Sequence, residues 1–262
     1  EHNDYSGFEA QPSARLSWSP HERHQVWLAA SRAVRTPSII DHDGKLTPII
    51  ISGGLPIVFS VFGQRDFQTE ELLSYELGYR IRPAEALTLD LAFFTNIYDH
   101  LRSGEVGGFI VETSPTPVHL VIPVNLENNL NAKTYGAELA SNLQIAPWWL
   151  LQANASYLRV NLDPSTDEGR DPRFQTWIRS AQNLPGNLTF DVMARYVSRL
   201  PAFDLDSYVE TDARLAWRDP DSGVEVALVG QNLMRGSHPE FLAETRHSEI
   251  QRAVYASLTW RF

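Results

Sequence analysis

Apolar and polar residues alternate along most of the chain with a period of two. Over 70–81, Glu71, Leu73, Tyr75, Leu77, Tyr79 and Ile81 share one face, and Glu70, Leu72, Ser74, Glu76, Gly78 and Arg80 share the other. Over 87–98, Leu87, Leu89, Leu91 and Phe93 oppose Thr88, Asp90, Ala92 and Asn96. The same pattern sets Leu188, Phe190, Val192, Ala194 and Tyr196 against Thr189, Asp191, Met193 and Arg195. It recurs over 209–218, and again as Val254, Ala256, Leu258, Trp260 and Phe262 against Tyr255, Ser257, Thr259 and Arg261. Successive strand residues point to opposite faces, so this period predicts strands; helical spacing fits none of these segments well.

The connections alternate between short and long. SPHER (19–23), RPAEA (82–86), IAPW (145–148), LPGN (184–187) and DPDSG (219–223) carry the Pro, Gly and Asp chemistry of tight turns. Longer connections are expected at 37–66, 105–118, 163–172, 201–206 and 236–249. Between them lie about eleven strands, near 8–18, 24–36, 67–82, 86–104, 119–145, 148–162, 173–184, 187–200, 207–218, 224–235 and 250–262. No composition break divides the chain, so 1–262 reads as one domain.

Tight turns at one end and long loops at the other characterise outer-membrane barrels. A bilayer leaves unpaired backbone groups unsatisfied at several kcal/mol each, so only helices or closed barrels span it. The longest apolar stretch, PIIISGGLPIVFSVF (48–62), is interrupted by Ser, Gly and Pro and falls short of a membrane helix. Strands are the remaining way across. One row then faces lipid and the other the lumen, and Glu76, Arg80, Asp90, Asp191, Arg195, Asp212 and Arg214 all fall on the lumen row. A soluble antiparallel sheet with one wet face would alternate in the same way.

Composition narrows the picture. Aromatics make up 11% of the 262 residues, which favours strands and membrane interfaces. A net charge of −10 argues against a general nucleic-acid binder. Cysteine is absent, which removes disulfides and thiolate metal sites. The start, EHNDYSGFEA, has no basic segment followed by an apolar one, so it reads as a mature or internal start.

Several motifs resemble the TonB-dependent outer-membrane receptors. They are SRAVRTPS (31–38), ELLSYELGYR (71–80), FFTNIYDHLRS (93–103), TYGAELA (134–140), LVGQNLMRG (228–236) and RAVYASLTWRF (252–262). They arrive in family order and cover nearly the whole chain. Tyr98, Asp99 and His100 depart from the family's usual Ile-Asp-Asp-Leu run. The resemblance implies the second half of a 22-stranded antiparallel transmembrane barrel. On that expectation the plug domain, the TonB box and the earlier strands would precede Glu1, and the chain would not transport alone. It further implies TonB-coupled uptake of a large scarce solute: a ferric siderophore, with cobalamin or a glycan as other options. The implied partners are the lipid bilayer, lipopolysaccharide, the plug, the TonB complex, the barrel-assembly machinery and a metal-chelate ligand, with no nucleic acid. Leu258, Trp260 and Phe262 are similar to the terminal signal read by that assembly machinery. The competing readings are a passive porin-type barrel and, in another class, a soluble all-β binding module.

Within the resemblance, ligands meet outer loops and upper barrel walls. Arg35, Arg65, Arg102, Arg170 and Arg173 lie in or beside the long loops and suit an anionic chelate through charge-assisted hydrogen bonds. His42 and Tyr98 complete this expected ligand-binding set. Phe59, Phe62 and Phe67, with Tyr98, are expected chiefly to pack the loops, with contact to a catecholate or cobalamin-like ligand as the alternative reading. The 37–66 loop, also holding Lys45, is expected to fold partly over the barrel mouth, since disorder disfavours so apolar a stretch.

No enzyme chemistry or cofactor is expected: no nucleophile with its base, phosphate loop or dinucleotide fingerprint is present. DHDGK (41–45) shares Asp-x-Asp-Gly with calcium loops but lacks their final Glu. HERH (21–24) lacks the zincin spacing, so no metal is assigned.

Overall fold

The computed structural model describes residues 2–51, 53–164, 169–243 and 246–261. A small pair, β1 (His2–Asn3) and β2 (Gly7–Phe8), precedes the main sheet. Then come β3 (Ser13–His21), β4 (His24–Arg35), helix α1 (Ile39–Asp43), β5 (Lys45–Ile51), β6 (Ile57–Phe62), β7 (Glu70–Ala84) and β8 (Leu87–Val106). Next are β9 (Ile110–Glu112), β10 (His119–Ala146), β11 (Trp149–Asp163), β12 (Phe174–Leu184) and β13 (Leu188–Val197). The chain closes with β14 (Tyr208–Arg218), β15 (Val224–Gln231), the hairpin β16 (Ser237–Ala243) and β17 (Arg246–Gln251), and β18 (Ala253–Trp260).

Eleven of these form one path, β3-β4-β7-β8-β10-β11-β12-β13-β14-β15-β18, each antiparallel to the next. The expected strand number and most expected bounds are reproduced. Among the described residues β3 and β18 do not pair with each other, so the sheet is open rather than a closed barrel. The first strand runs later than expected, to His21, with a register shift between Trp18 and His21. Pro20 has no N–H to give a ladder, and it falls within this register shift, where a sheet tolerates that. The expected last strand divides at Arg252, whose N–H donates to Gly236 O instead. Phe262 lies outside the described residues.

The registers place residues on faces as the alternation requires. Leu73, Tyr75, Leu77, Tyr79 and Ile81 align with Ile97, Thr95, Phe93, Leu91 and Leu89 in one apolar row. That row continues through Leu139 and Ala155 to Ile178, and from Phe190 through Leu215 and Leu228 to Ala256. It stays bare: Leu77 is 43% exposed, Leu228 55% and Leu258 72%. An apolar surface this continuous needs a covering medium. Trp18, Trp149, Trp217 and Trp260 bound it near the short turns, and Tyr75, Tyr135, Tyr157 and Tyr196 bound it toward the long loops. Amphipathic aromatics at both edges of an apolar belt are the girdles of a membrane barrel. The stretch Leu73–Ile81 matches the roughly 9–11 residues that a tilted strand uses to cross.

The opposite face carries the charges, and they pair across strands. Arg179 meets Asp191 at 2.5 Å, Arg195 meets Glu210 at 2.6 Å, and Arg214 meets Glu225 at 2.6 Å. Arg80 and Asp90, direct register partners, also pair. Cross-strand pairs contribute roughly 0.2–1 kcal/mol each, so the ladder chiefly settles register and orientation. On the apolar face, charges such as Arg32, Lys133 and Arg159 occur toward the long-loop end, where the belt finishes.

Two motif glycines acquire a physical role. Gly78 pairs with Trp27 and Gly136 with Phe94, and each ring lies over its glycine. A Cβ on Gly78 would sit 2.0 Å from the Trp27 indole, and one on Gly136 would sit 2.1 Å from Tyr157 O. Asn232 of LVGQNLMRG ends β15 earlier than expected by turning to φ +51°, a left-handed conformation asparagine tolerates. It is fully buried, with its N–H on Asp212 Oδ1 at 2.9 Å and its amide nitrogen on Ile250 O at 3.1 Å.

The long connections hold more order than their sequences predict. The 37–66 segment contains α1, β5 and β6; 105–118 contains β9; 236–249 contains most of β16–β17. The apolar run at 48–62 supplies two strands because β10 offers an edge. β11 stops at Asp163, opposite Asn131, while β10 continues out to His119. Along that vacated edge β6 pairs in parallel, from Leu120↔Ile57 to Asn125↔Phe62, and β5 pairs with β6. β9 pairs with the same tip of β10, at His119–Val121. An uncovered edge is an aggregation hazard, and this annex covers it.

Candidate functional site

The long-loop end is organised around Asp41. Ser38 caps α1 in a reciprocal box: its Oγ accepts from Asp41 N at 3.3 Å, and Asp41 Oδ2 accepts from Ser38 N at 3.0 Å and Oγ at 2.7 Å. Asp41 has 0% exposure. Arg35 at the end of β4 donates to it at 3.0 Å, and Arg102 on β8 donates at 3.3 Å. Burial would raise the Asp41 carboxyl, but the Ser38 and Arg35 hydrogen bonds outweigh it and hold the group at about 2. Glu70 on β7 completes the cluster, accepting from Arg35 Nε at 2.5 Å and from the Arg102 N–H at 2.7 Å.

This arrangement fixes where the 37–66 segment lies. Arg35 and Glu70 are register partners on the charged face, so α1 is anchored on that side. The chain leaves β4, passes β7 and β8, joins the far edge of β10 as β6, and returns to β7. It therefore spans the long-loop end of the sheet, from α1 on the charged face to the far edge of β10. Close backbone approaches secure its return: Gly63 N donates to Gly44 O at 2.8 Å and Gln64 N to Asp41 O at 2.9 Å. A Cβ on Gly63 would meet Ile40 O at 2.6 Å, so glycine is required at this contact.

The expected ligand-binding residues divide into groups. Arg35 and Arg102 come together on Asp41 and Glu70, so an anionic ligand there would compete with two carboxylates. The His42 ring lies tilted against Tyr5, with centroids 4.6 Å apart, and contacts Asp43 at 3.0 Å, while the well-exposed Arg65 reaches Asp43 at 3.5 Å. Both acids of DHDGK are thus engaged by neighbouring side chains, and among the described residues no cluster suits a metal ion. HERH is likewise occupied locally, with His24 on Tyr79 at 2.7 Å and His21 accepting from Arg23 N at 3.2 Å. Tyr98 sits half-buried on β8. Arg170 lies 5.9 Å over Phe203, and Arg173 is exposed just before β12. Phe62 lies beneath Lys45 Nζ at 5.2 Å, and Phe67 is buried, 5.9 Å from the Arg35 guanidinium.

Sequence reasoning missed three features. The Asp41 hub was legible in principle as Ser38-x-x-Asp41, a capping-box pattern. A cavity of about 490 Å³ lies between β5–β6 and the 112–121 arm; it depends on a parallel pairing that no local pattern announces. A second polar cluster anchors the β16–β17 hairpin, with Glu240 accepting from Arg195 at 2.6 Å and from Tyr208 at 3.1 Å. His238, 2% exposed, stacks on Tyr208 at 4.3 Å and contacts Glu240 at 3.3 Å. Burial would raise the Glu240 carboxyl; Tyr208, His238 and Arg195 outweigh this and lower it.

Comparison with known proteins agrees with this architecture. The family described as TonB dependent receptor-like, beta-barrel matches residues 1–233. No curated protein matches. A variant of the ferric enterobactin receptor PfeA from Pseudomonas aeruginosa has a TM-score of 0.77 at 16% identity, over 100% of this chain and 41% of that one. The siderophore receptor PirA from Acinetobacter baumannii gives 0.76 at 15% identity, over 99% and 42%. The ferripyoverdine receptor of the P. aeruginosa outer membrane, bound to ferripyoverdine, gives 0.67 at 16%, over 95% and 32%. At these identities the likeness establishes the fold, and the chain spans less than half the length of these receptors. The family is one of receptors rather than enzymes. With the family match covering most of its length and its sheet superposing on receptor barrels, the chain belongs to the TonB-dependent receptor β-barrel family.

Proposed function

We propose that this chain is the C-terminal half of the barrel wall of an outer-membrane receptor that takes up a ferric siderophore by TonB coupling. In that reading the apolar face meets the bilayer, the charged face lines the lumen, and lipopolysaccharide surrounds the long-loop end. A plug domain and the TonB contact belong to the rest of the receptor, and the barrel-assembly machinery inserts it. The observation carrying the proposal is the 37–66 crossover, locked by Asp41 on the charged face, which sets a structured surface at the long-loop end of the wall. Solutes from outside meet it first. The ligands of the similar receptors, enterobactin and ferripyoverdine, point to ferric chelates ahead of cobalamin or a glycan.

The role of the wall is to hold this surface and to dock the plug; the plug rearrangement that admits the solute is driven from the periplasm. The test uses the full-length receptor and a 41–64 deletion in iron-starved cells, with ferric enterobactin and ferripyoverdine as probes. The intact receptor should bind and accumulate one of them in an energy-dependent manner, and the deletion should bind it at least ten-fold more weakly while still reaching the outer membrane. Absence of accumulation with every ferric chelate would refute the substrate class. Equal affinity in both proteins would move capture to 105–118 and 163–172.

A further inference from the structure

The cavity beneath the crossover has a chemistry of its own. β5 contributes Lys45, Thr47 and Ile50, β6 contributes Val58 and Ser60, and β10 contributes His119 and Val121. Its volume, about 490 Å³, falls within the ~300–1,000 Å³ usual for small-molecule sites, which are mostly apolar with a few placed polar groups. Those polar groups are largely committed. Thr47 and the buried Ser60 share a hydrogen bond at 3.1 Å. His119 has Nδ1 on Pro117 O at 2.9 Å and Nε2 on Glu112 at 3.4 Å. Lys45 differs. Its ammonium lies over the Phe62 ring and has no carboxylate partner among the described residues. The cavity therefore presents one uncompensated cation, while its acid, Glu112, already faces His119.

The rim adds a second observation. Ile50 is 62% exposed, and Ile110, the register partner of Val121 on the cavity's face of β9, is 50% exposed; both strands stand beyond the apolar belt and so away from lipid. Apolar side chains exposed around a cavity mouth outside a membrane mark a binding surface. We propose that this cavity binds the apolar arm of a monoanionic amphiphile, with its carboxylate on Lys45 and its hydrocarbon or aryl body against Ile50, Val58 and Val121. The inference rests on the receptor reading and deepens it: the captured solute, or one of its chelating arms, carries an apolar group ending in an anion. A cationic arm would meet repulsion from Lys45.

The probe is 2-naphthoate, compared with neutral 2-naphthol of the same body, titrated by fluorescence into the full-length receptor in a neutral detergent and corrected for empty micelles. Naphthoate should bind at least ten-fold more tightly than naphthol. Lys45→Met should abolish that preference, since it keeps the apolar stem and removes the charge. Val58→Trp should weaken both probes by filling the cavity, whereas Lys133→Met, on the opposite apolar face, should change neither. Lys45 is exposed, so its variant reports even if the packed Val58 variant fails to fold. An unchanged naphthoate preference in Lys45→Met would overturn the proposal. Ferric-chelate uptake, measured separately, distinguishes the failures: its loss with naphthoate binding intact refutes the receptor reading and spares the cavity.

Discussion

Replacing Asp41 with alanine tests whether the crossover is held where the structure places it. The change removes the acceptor for Ser38 N–H and Oγ–H and one partner each of Arg35 and Arg102. The Ser38 cap on the residue-41 N–H survives, and loss of the reciprocal bonds from Ser38 to Asp41 Oδ2 costs about 1 kcal/mol. A charge-assisted hydrogen bond contributes about 1.5–3 kcal/mol. Here each is worth less, about 1 kcal/mol, because Arg35 and Arg102 are 43% and 52% exposed and Arg35 keeps Glu70. The penalty of ~3–5 kcal/mol for breaking a fully buried pair therefore does not apply. The sum is about 3 kcal/mol of local stability, or roughly 150-fold in the opening equilibrium. Hydrogen exchange on the full-length receptor reads this at two amides, Gly63 and Gln64, which donate to Gly44 O and Asp41 O. Their protection should fall by about two orders of magnitude while amides of β12 and β13 stay unchanged. Asp41→Asn, which retains the capping oxygen, should lose about half as much in free energy. Unchanged exchange at Gly63 and Gln64 would refute the anchoring. Acid gives an independent check. The folded carboxyl lies at about 2, below its ordinary value of about 3.9, so its contribution is complete above that ordinary value. It is then lost as pH falls through about 2, and the crossover should loosen across that window.

Three further outcomes test the wall. Leu77→Arg, in the middle of the apolar row, should cost ~2–4 kcal/mol if it lies near the bilayer midplane and lower outer-membrane yield; Glu76→Arg on the charged face should not, and equal yields would contradict the face assignment. Gly78→Val should expel the Trp27 ring from its glycine and cost ~1–3 kcal/mol, seen as a lowered unfolding temperature of the full receptor. Leu258→Asp combined with Trp260→Asp places carboxylates on the lipid-facing row of the last strand and should impair membrane insertion, as should deletion of Phe262; undiminished yield of both would show that this strand carries no assembly signal.

The strands were legible because one physical rule governs them. A sheet with one apolar and one charged face must alternate, so 70–81 or 188–196 can be read residue by residue. The tight turns were legible because Pro, Gly and Asp constrain the backbone locally. The annex was not, since β6 pairs with β10 across some sixty residues of chain and in parallel. Its apolar run, PIVFSVF, describes a strand without naming its partner. The expected arginines were correctly assigned to the long-loop end, yet composition could not show that Arg35 and Arg102 share Asp41. That requires β4, β7 and β8 to be set in register. Lys45 entered the sequence reading only as one more loop cation, and its distinction is negative: the acids nearby are committed elsewhere.

Strand length supplies the link between wall and site. β10 runs for 28 residues, whereas a tilted crossing needs roughly 9–11, so most of it stands outside any belt. A protruding strand presents unpaired N–H and C=O groups on both edges, and antiparallel neighbours cover them only as far as they extend. β8 follows along one edge to Val124, and β9 takes the tip; β11 abandons the other at Asn131. The vacancy can be closed only by a segment that arrives from elsewhere, is apolar enough to remain ordered, and can adopt a strand. The 48–62 run meets these conditions, and in closing the edge β6 brings β5 and Lys45 against the 112–121 arm. The cavity thus follows from edge protection: the same hydrogen bonds that shield β10 create the concavity. Loss of the β6–β10 pairing should therefore expose a strand edge and abolish the cavity together, so that a variant retaining one without the other would break this connection.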